Sequence, residues 1–317
     1  LLGYQQILAG NLGIAINLLN DVINDNRFEE LKYRAIVTKI NAHTTSKNYT
    51  EGFIVLNSLL PKLKSLDNTR AYQEALMVIS IFYSRLGQYE LSRQYAAQLL
   101  NSSPSAKFKC IGFYLDIESS YFLGLLGVKD VKDNWTETCD SINEPIASNT
   151  IRLVAARIYL DNQLPEKALE LLLMYLKSAR DSGYYLLVDQ FNTYIAQAYY
   201  ELGETNIAEQ HAMQALDNVG SLHSSYAFVY ASELLYKLNK ERGNFENALY
   251  HHEQHLQFSQ EYKDDLKNRD VTFKIAEENN RQKNLEIEIL AQRNKVLGLE
   301  NSLAANQKQR DRLIQVL

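Results

Sequence analysis

Three short stretches carry residue types that could do chemistry. In "HHEQH", residues 251–255, His251 and His255 stand four apart and share one helix face, as two metal ligands would. A zinc protease needs HExxH, with the glutamate directly after the first ligand, whereas here His252 and Glu253 are followed by His255 one residue too soon. No third ligand is evident, and His252, on the inward side of its helix, reads as a hydrogen-bonded core histidine. "FLGLLG", residues 122–127, lacks the lysine and the strand context of a phosphate loop. Cys110 and Cys139 have no CxxC spacing and cannot make a four-ligand zinc site. No nucleophile elbow, dinucleotide fingerprint or kinase signature occurs. The chain is therefore expected to be non-catalytic, with no cofactor and no metal.

The elements that hold these residues are helical. Of 317 residues only four are Pro and thirteen Gly, while Leu, Ala, Glu, Gln, Asn and Tyr abound. Net charge is -5 and the basic residues are scattered, so the basic stripe of a nucleic-acid binder is missing. No apolar window long enough for a membrane helix occurs, and Leu1 to Gly10 lack the pattern of a signal peptide. A start at Leu rather than Met suggests an excised or processed fragment.

Internal repetition is the strongest signal. "YSRLGQYELSRQYAAQLLNSSP" (83–104), "YYELGETNIAEQHAMQAL" (199–216) and "NKERGNFENALYHHEQHL" (239–256) share one plan: a helix, a short turn with Gly, and a second helix with a small residue five positions on. Anchors at Gly10, Lys47, Gly87, Gly127, Gln163, Gly203 and Gly243 are 37, 40, 40, 36, 40 and 40 residues apart. Five after each anchor stand Ala15, Gly52, Ser92, Lys132, Ala168, Ala208 and Ala248, small in six of seven units, as close approach of two helices requires. Tyr83, Tyr159 and Tyr199, four before an anchor, can fill the groove between hairpins; Tyr49, Tyr89 and Phe245, two after, can pin the turn. Cys110 lies 17 residues before Gly127 and Cys139 12 after it, so a disulfide between them needs an irregular hairpin, and would favour an oxidising compartment.

At these residues the chain resembles the tetratricopeptide repeat (TPR) family, over about residues 1–256. The resemblance implies an all-α fold: a right-handed, TPR-like superhelical solenoid of helical hairpins, about seven repeats with the first truncated. The spacing exceeds the family's usual value of about 34 residues, which implies longer helices. Members of the family bind extended peptides or partner helices in the concave groove lined by each first helix. Carried over by counting back 3, 6, 10 and 13 residues from each anchor, the inward set includes Arg34, Asn41, Met77, Tyr114, Tyr121, Arg157, Gln197, Tyr200, Tyr230 and Lys237. The count also places Ile117 and Gly124 inward in the fourth unit. The mixture of Tyr, Gln, Asn, Arg and Met suits a peptide or protein partner, or a small ligand. Most of the apolar residues are core whether or not anything binds.

After Leu256 the repeat plan stops. Residues 257–284 offer too little apolar surface for two-sided packing, and no Gly or Pro breaks the helix. Leu285, Ile289, Gln292, Val296, Leu299, Leu303, Asn306, Arg310, Leu313 and Leu317 then alternate in steps of four and three, a heptad seam. Residues 257–317 are thus expected to form a long coiled-coil helix, dimerising through Leu285, Ile289, Val296, Leu299, Leu303 and Leu313 as a homodimer; folding back as a capping helix stays open. Repeats followed by "KNLEIEILAQRNKVLGLENSLAANQKQRDRLIQVL" resemble the extracytoplasmic region of bacterial membrane-bound signalling proteins. That resemblance implies a periplasmic sensor in the inner membrane, with a transmembrane segment beyond residue 317 and a cytoplasmic output, a GGDEF diguanylate cyclase or histidine kinase. The alternative is a soluble cytoplasmic TPR peptide receptor or protein-interaction scaffold.

Overall fold

The computed structural model describes residues 11–25, 29–66, 70–102, 104–217 and 226–316, without the side chains of residues 64 and 308–316. Among them run thirteen α-helices and no strand. In chain order they are α1 (Leu12–Asn24), α2 (Glu29–Thr45), α3 (Tyr49–Leu59), α4 (Arg70–Arg85), α5 (Tyr89–Asn101), α6 (Ala106–Phe122), α7 (Glu137–Ser141), α8 (Pro145–Asp161), α9 (Pro165–Asp181), α10 (Tyr185–Glu201), α11 (Thr205–Gln214), α12 (Tyr226–Glu241) and α13 (Phe245–Val316). Even-numbered helices open hairpins and odd-numbered ones close them. From α2 to α10, each even helix packs on its own partner and on the next even helix. The result is a TPR-like superhelical solenoid.

The turns explain why the repeats are legible. Lys47, Gly87, Gln163, Gly203 and Gly243 all have positive φ, between 56° and 83°. In each hairpin the anchor amide donates to the carbonyl three residues back and the next amide to the carbonyl five residues before itself, as in Gly203 to Tyr200 (3.0 Å) and Glu204 to Tyr199 (2.9 Å). This pair of bonds is the Schellman closure, which requires a left-handed residue just past the helix. The anchor Gly10 lies outside the described residues. Five residues beyond the anchors, Ala15, Ser92, Ala168 and Ala208 are fully buried, and a Cβ on Gly52 would come within 2.5 Å of the Phe82 ring. Tyr83 is buried and stacks on Tyr95, and Tyr49 is buried beside Phe82, but Phe245 is 72% exposed and pins nothing.

The fourth unit departs from the plan. Its left-handed residue is Gly124 (φ 69°), with Gly124 donating to Tyr121 and Leu125 to Ser120, so the turn sits three residues before the expected Gly127. Two 3-10 turns (Val128–Asp130 and Asp133–Thr136) and the five-residue α7 replace a full second helix. This irregular hairpin brings Cys110 and Cys139 together in a disulfide with Cα atoms 4.9 Å apart. Arg152 of α8 braces the segment: its buried guanidinium donates to Asn149, Thr136 and Asp140 (2.6 Å) and lies 3.6 Å over the Tyr175 ring.

The chain divides into two compact units, residues 1–270 and 271–317. Within the first, the start of α13 packs on the array: Phe258 is buried 5.8 Å from Phe228, Tyr262 lies 6.2 Å from Tyr226, and Asp265 pairs with Lys47 at 3.5 Å. Residues 257–270 thus pack one face on the array despite their polarity, by pairing charges as well as rings. In the second unit Leu285, Ile289, Val296, Leu299 and Leu303 are 46–61% exposed; Leu313 and Leu317 lie outside the described side chains.

Candidate functional site

The even helices line up side by side, so residues one repeat apart meet across their inner faces. Arg34 on α2 donates to Glu74 on α4 (2.9 Å), and Tyr121 on α6 to Asp161 on α8 (2.8 Å), both pairs 40 residues apart. Arg70 holds the other oxygen of Glu74 (3.0 Å). Between these lies the densest group. The Arg157 guanidinium sits 4.5 Å from the Tyr121 ring, 4.9 Å from Phe122 and 5.5 Å from Tyr194. Tyr89 stacks on Phe122 at 4.4 Å. Arg85 donates to the Tyr114 hydroxyl (3.1 Å), and Ser84 to the buried Glu118 carboxylate (2.8 Å).

Arg157, Tyr121, Phe122, Asp161 and Asn162 line a cavity of about 290 Å³. Its wall offers flat apolar rings, a cation and an anion side by side. Burial pushes the Tyr121 hydroxyl up to about 12, opposed by Arg157 and reinforced by its bond to Asp161. Burial likewise raises Tyr89 to about 12, and Tyr114 and Tyr194 move in the same direction. These phenols stay protonated at neutral pH and act as hydrogen-bond donors. Burial lowers the Arg157 pKa, but Tyr194, Tyr121 and Asp161 outweigh it, so the guanidinium stays charged. Such a wall can hold a polypeptide by stacking, hydrogen bonds and paired charge.

Of the residues expected to face inward, Tyr114, Tyr121 and Arg157 come together here. Arg34 is engaged by Glu74. Tyr200 and Tyr230, half-buried, pack on a second apolar cluster around Ala196 and Leu234. Met77 packs on the Leu76, Leu99 and Phe108 core, and Asn41 is half-buried on α2. Gln197 donates to Glu201 (2.9 Å) and Lys237 pairs with Glu233 (2.7 Å), each along its own helix. Sequence counting missed Glu118, Asp161, Tyr194, Tyr89 and Tyr226. The signal for Glu118 was present: counting back from Gly124 instead of Gly127 gives Tyr121, Glu118 and Tyr114, where the displaced anchor gave Ile117. Among the described residues no group of three or more His, Cys, Asp or Glu could hold a metal; His255 Nδ1 lies 3.1 Å from the Val229 carbonyl and His251 Nδ1 3.0 Å from Gln254.

No family model and no curated protein matches the sequence. Solved structures do match the fold. The apo form of RapI superposes with a TM-score of 0.56 at 14% identity, covering 80% of this chain and 73% of RapI. A Rap protein complexed with Competence and Sporulation Factor superposes with a TM-score of 0.60, also at 14% identity, covering 83% of this chain and 76% of the Rap protein. In fold, the chain is similar to the Rap proteins. That likeness supports the helical-repeat reading and carries nothing of a membrane-bound cyclase or kinase. The expected placement as a periplasmic portion of an inner-membrane protein is therefore corrected: two structures that share the fold are of Rap proteins, and no helix among the described residues is long and apolar enough to cross a membrane.

Proposed function

We propose that this chain is a non-catalytic interaction scaffold, a helical-repeat receptor for a peptide or protein segment held against the inner faces of α6, α8 and α10. The observation that carries the reading is Arg157, clasped by Tyr121, Phe122 and Tyr194 beside Asp161 on a cavity wall. The co-complex of the structurally similar Rap protein with Competence and Sporulation Factor supports a receptor role. Arg34, Asn41, Met77, Gln197, Tyr200, Tyr230 and Lys237 belong to this proposal as flanking positions of the same concave layer. The test is a displayed-peptide library selected on the wild-type chain. Binders should weaken at least tenfold on Arg157→Ala and Tyr121→Ala chains; binders indifferent to both would sink the reading.

A second reading concerns the rod and rests on the exposed seam from Leu285 to Leu303. Burying such a stripe against a second copy would make residues 257–317 a dimerising arm beside a binding array at 1–256, with Leu313 continuing the seam. Sedimentation equilibrium should then report a dimer that Ile289→Lys with Leu303→Lys converts to monomer. An unchanged mass in the double variant contradicts it.

A further inference from the structure

Phe258, Tyr262, Asp265 and Arg269 are spaced four, three and four residues apart, which places them on one face of α13. That face is not turned to solvent. Phe258 is buried against Phe228, Tyr262 leans on Tyr226, and Asp265 holds both Arg269 and Lys47. His255, one turn earlier, approaches the Val229 carbonyl. Phe228 and Tyr226 belong to the last even helix, while Lys47 closes α2, the first. The seven steps from Phe258 to Asp265 span only about 10 Å of helix. Both ends of the array therefore converge on one short stretch of α13, and that stretch bridges them along the layer of even helices.

The same stretch sits next to the wall described above. Tyr89, which stacks on Phe122 of that wall, feels Glu118 from α6 and both Tyr262 and Arg269 from α13. Tyr226 in turn feels Arg157 and Asp161 as well as Tyr262. The array thus packs against a helix segment of known sequence, one offering an aromatic ring, a tyrosine one turn on, a carboxylate and then an arginine.

We propose that the inner surface between Lys47, Tyr89 and Tyr226 is a helix-binding site, that its partner is an amphipathic α-helix with the pattern aromatic-x3-Tyr-x2-Asp-x3-Arg, and that residues 258–269 occupy it in cis and exclude that partner. This rests on the receptor reading and narrows its ligand from any peptide to a helical one. Helix-in-groove recognition reads positions i, i+4, i+7 and i+11 in this way. The apolar part is small, so the occupant is held by ring contacts and an ion pair that a competing helix can replace one for one. A partner with the same pattern displaces α13 residues 258–269 rather than adding to them.

The probe is a fluorescein-labelled peptide of residues 254–270, titrated by anisotropy into the full chain and into a full chain carrying Tyr262→Ala and Asp265→Lys. Amide exchange on both chains reports whether residues 258–270 have loosened. The expected result is exchange at least tenfold faster in 258–270 of the double variant, with α4, α6 and α8 unchanged, and peptide affinity at least tenfold higher than for wild type. A peptide carrying Lys263→Pro, which cannot stay helical, should bind at least tenfold more weakly. Adding Lys47→Ala to the opened chain should cost about threefold for the wild-type peptide, the size expected of a part-exposed ion pair, and cost nothing for a peptide carrying Asp265→Ala, which has already lost the pair. Equal affinity for both chains, no binding to the loosened chain, full retention by the proline peptide, or undiminished protection of 258–270 would each overturn the proposal. Library binders of wild type that still depend on Arg157 would then leave the receptor reading standing alone.

Discussion

Gln163 occupies a turn position where five of the seven units carry glycine in the sequence, and it does so in the left-handed region, at φ 58°. That conformation costs a non-glycine residue about 1–2 kcal/mol, part of which glycine gives back through its freer unfolded chain. Gln163→Gly should therefore raise stability by about 0.5–1 kcal/mol, read from urea unfolding; a loss would mean that the Gln163 side chain contributes contacts that outweigh the strain. Asp140 offers a pH test. Burial raises its pKa, but hydrogen bonds from Thr136, Ser148 and Arg152 outweigh this and hold it below its ordinary value. A depressed carboxyl contributes stability that is complete above the unfolded value, about 3.9, and fades as pH falls through the folded one. The Tm advantage of wild type over Asp140→Asn should shrink between pH 5 and pH 2; an offset that stays constant would show that the aspartate acts through shape rather than charge. At this scale the sequence was readable wherever one residue type answers one backbone need, as at Gly87, Gly203 and Gly243. It misled where two glycines, Gly124 and Gly127, could each serve, and the three-residue displacement hid Glu118.

Among the elements, the fourth hairpin shows what pattern reading can and cannot reach. The offset of the two cysteines from the turn demanded an irregular hairpin, and the two 3-10 turns and the short α7 supply it. The disulfide closes a loop around the one segment with no long second helix, and Arg152 braces the same segment from α8. By loop-closure entropy a bridge of this span is worth about 3–4 kcal/mol. Cys139→Ser should lower stability by about that amount, and amide exchange should rise first in residues 123–141; a uniform rise across all hairpins would contradict a local clasp. The start of α13 was not legible for a different reason. Its docking face has one large apolar residue, Phe258, and otherwise uses Tyr262 and the charges of Asp265 and Arg269, so periodicity of hydrophobic residues carries no trace of it. Ion pairs across elements leave no signature along the chain.

The molecule as a whole follows from one hairpin repeated at about 40 residues. Six of the seven units bury their small residue and the described turns close through a left-handed residue, and each even helix presents a few polar and aromatic side chains to the next, so the inner layer is assembled from residues remote in sequence. That is why the solenoid could be read from spacing alone while the Arg157 wall could be read only in part: Tyr121 and Arg157 lie on counted positions, but Tyr194 and Asp161 do not. It is also why a remote likeness to the Rap proteins, at 14% identity, can coexist with agreement over most of both chains. The repeat constrains the buried positions and the turns, and leaves the inner surface free to vary. On the proposed function, this surface is where a partner sits. The most direct test places a photo-crosslinking amino acid at position 162, where Asn162 lines the inner cavity, or at position 174, where Met174 is exposed on α9, and challenges each chain with a peptide selected on wild type. Crosslinks at 162 and none at 174 are the predicted result; crosslinks at 174 with none at 162 would contradict it.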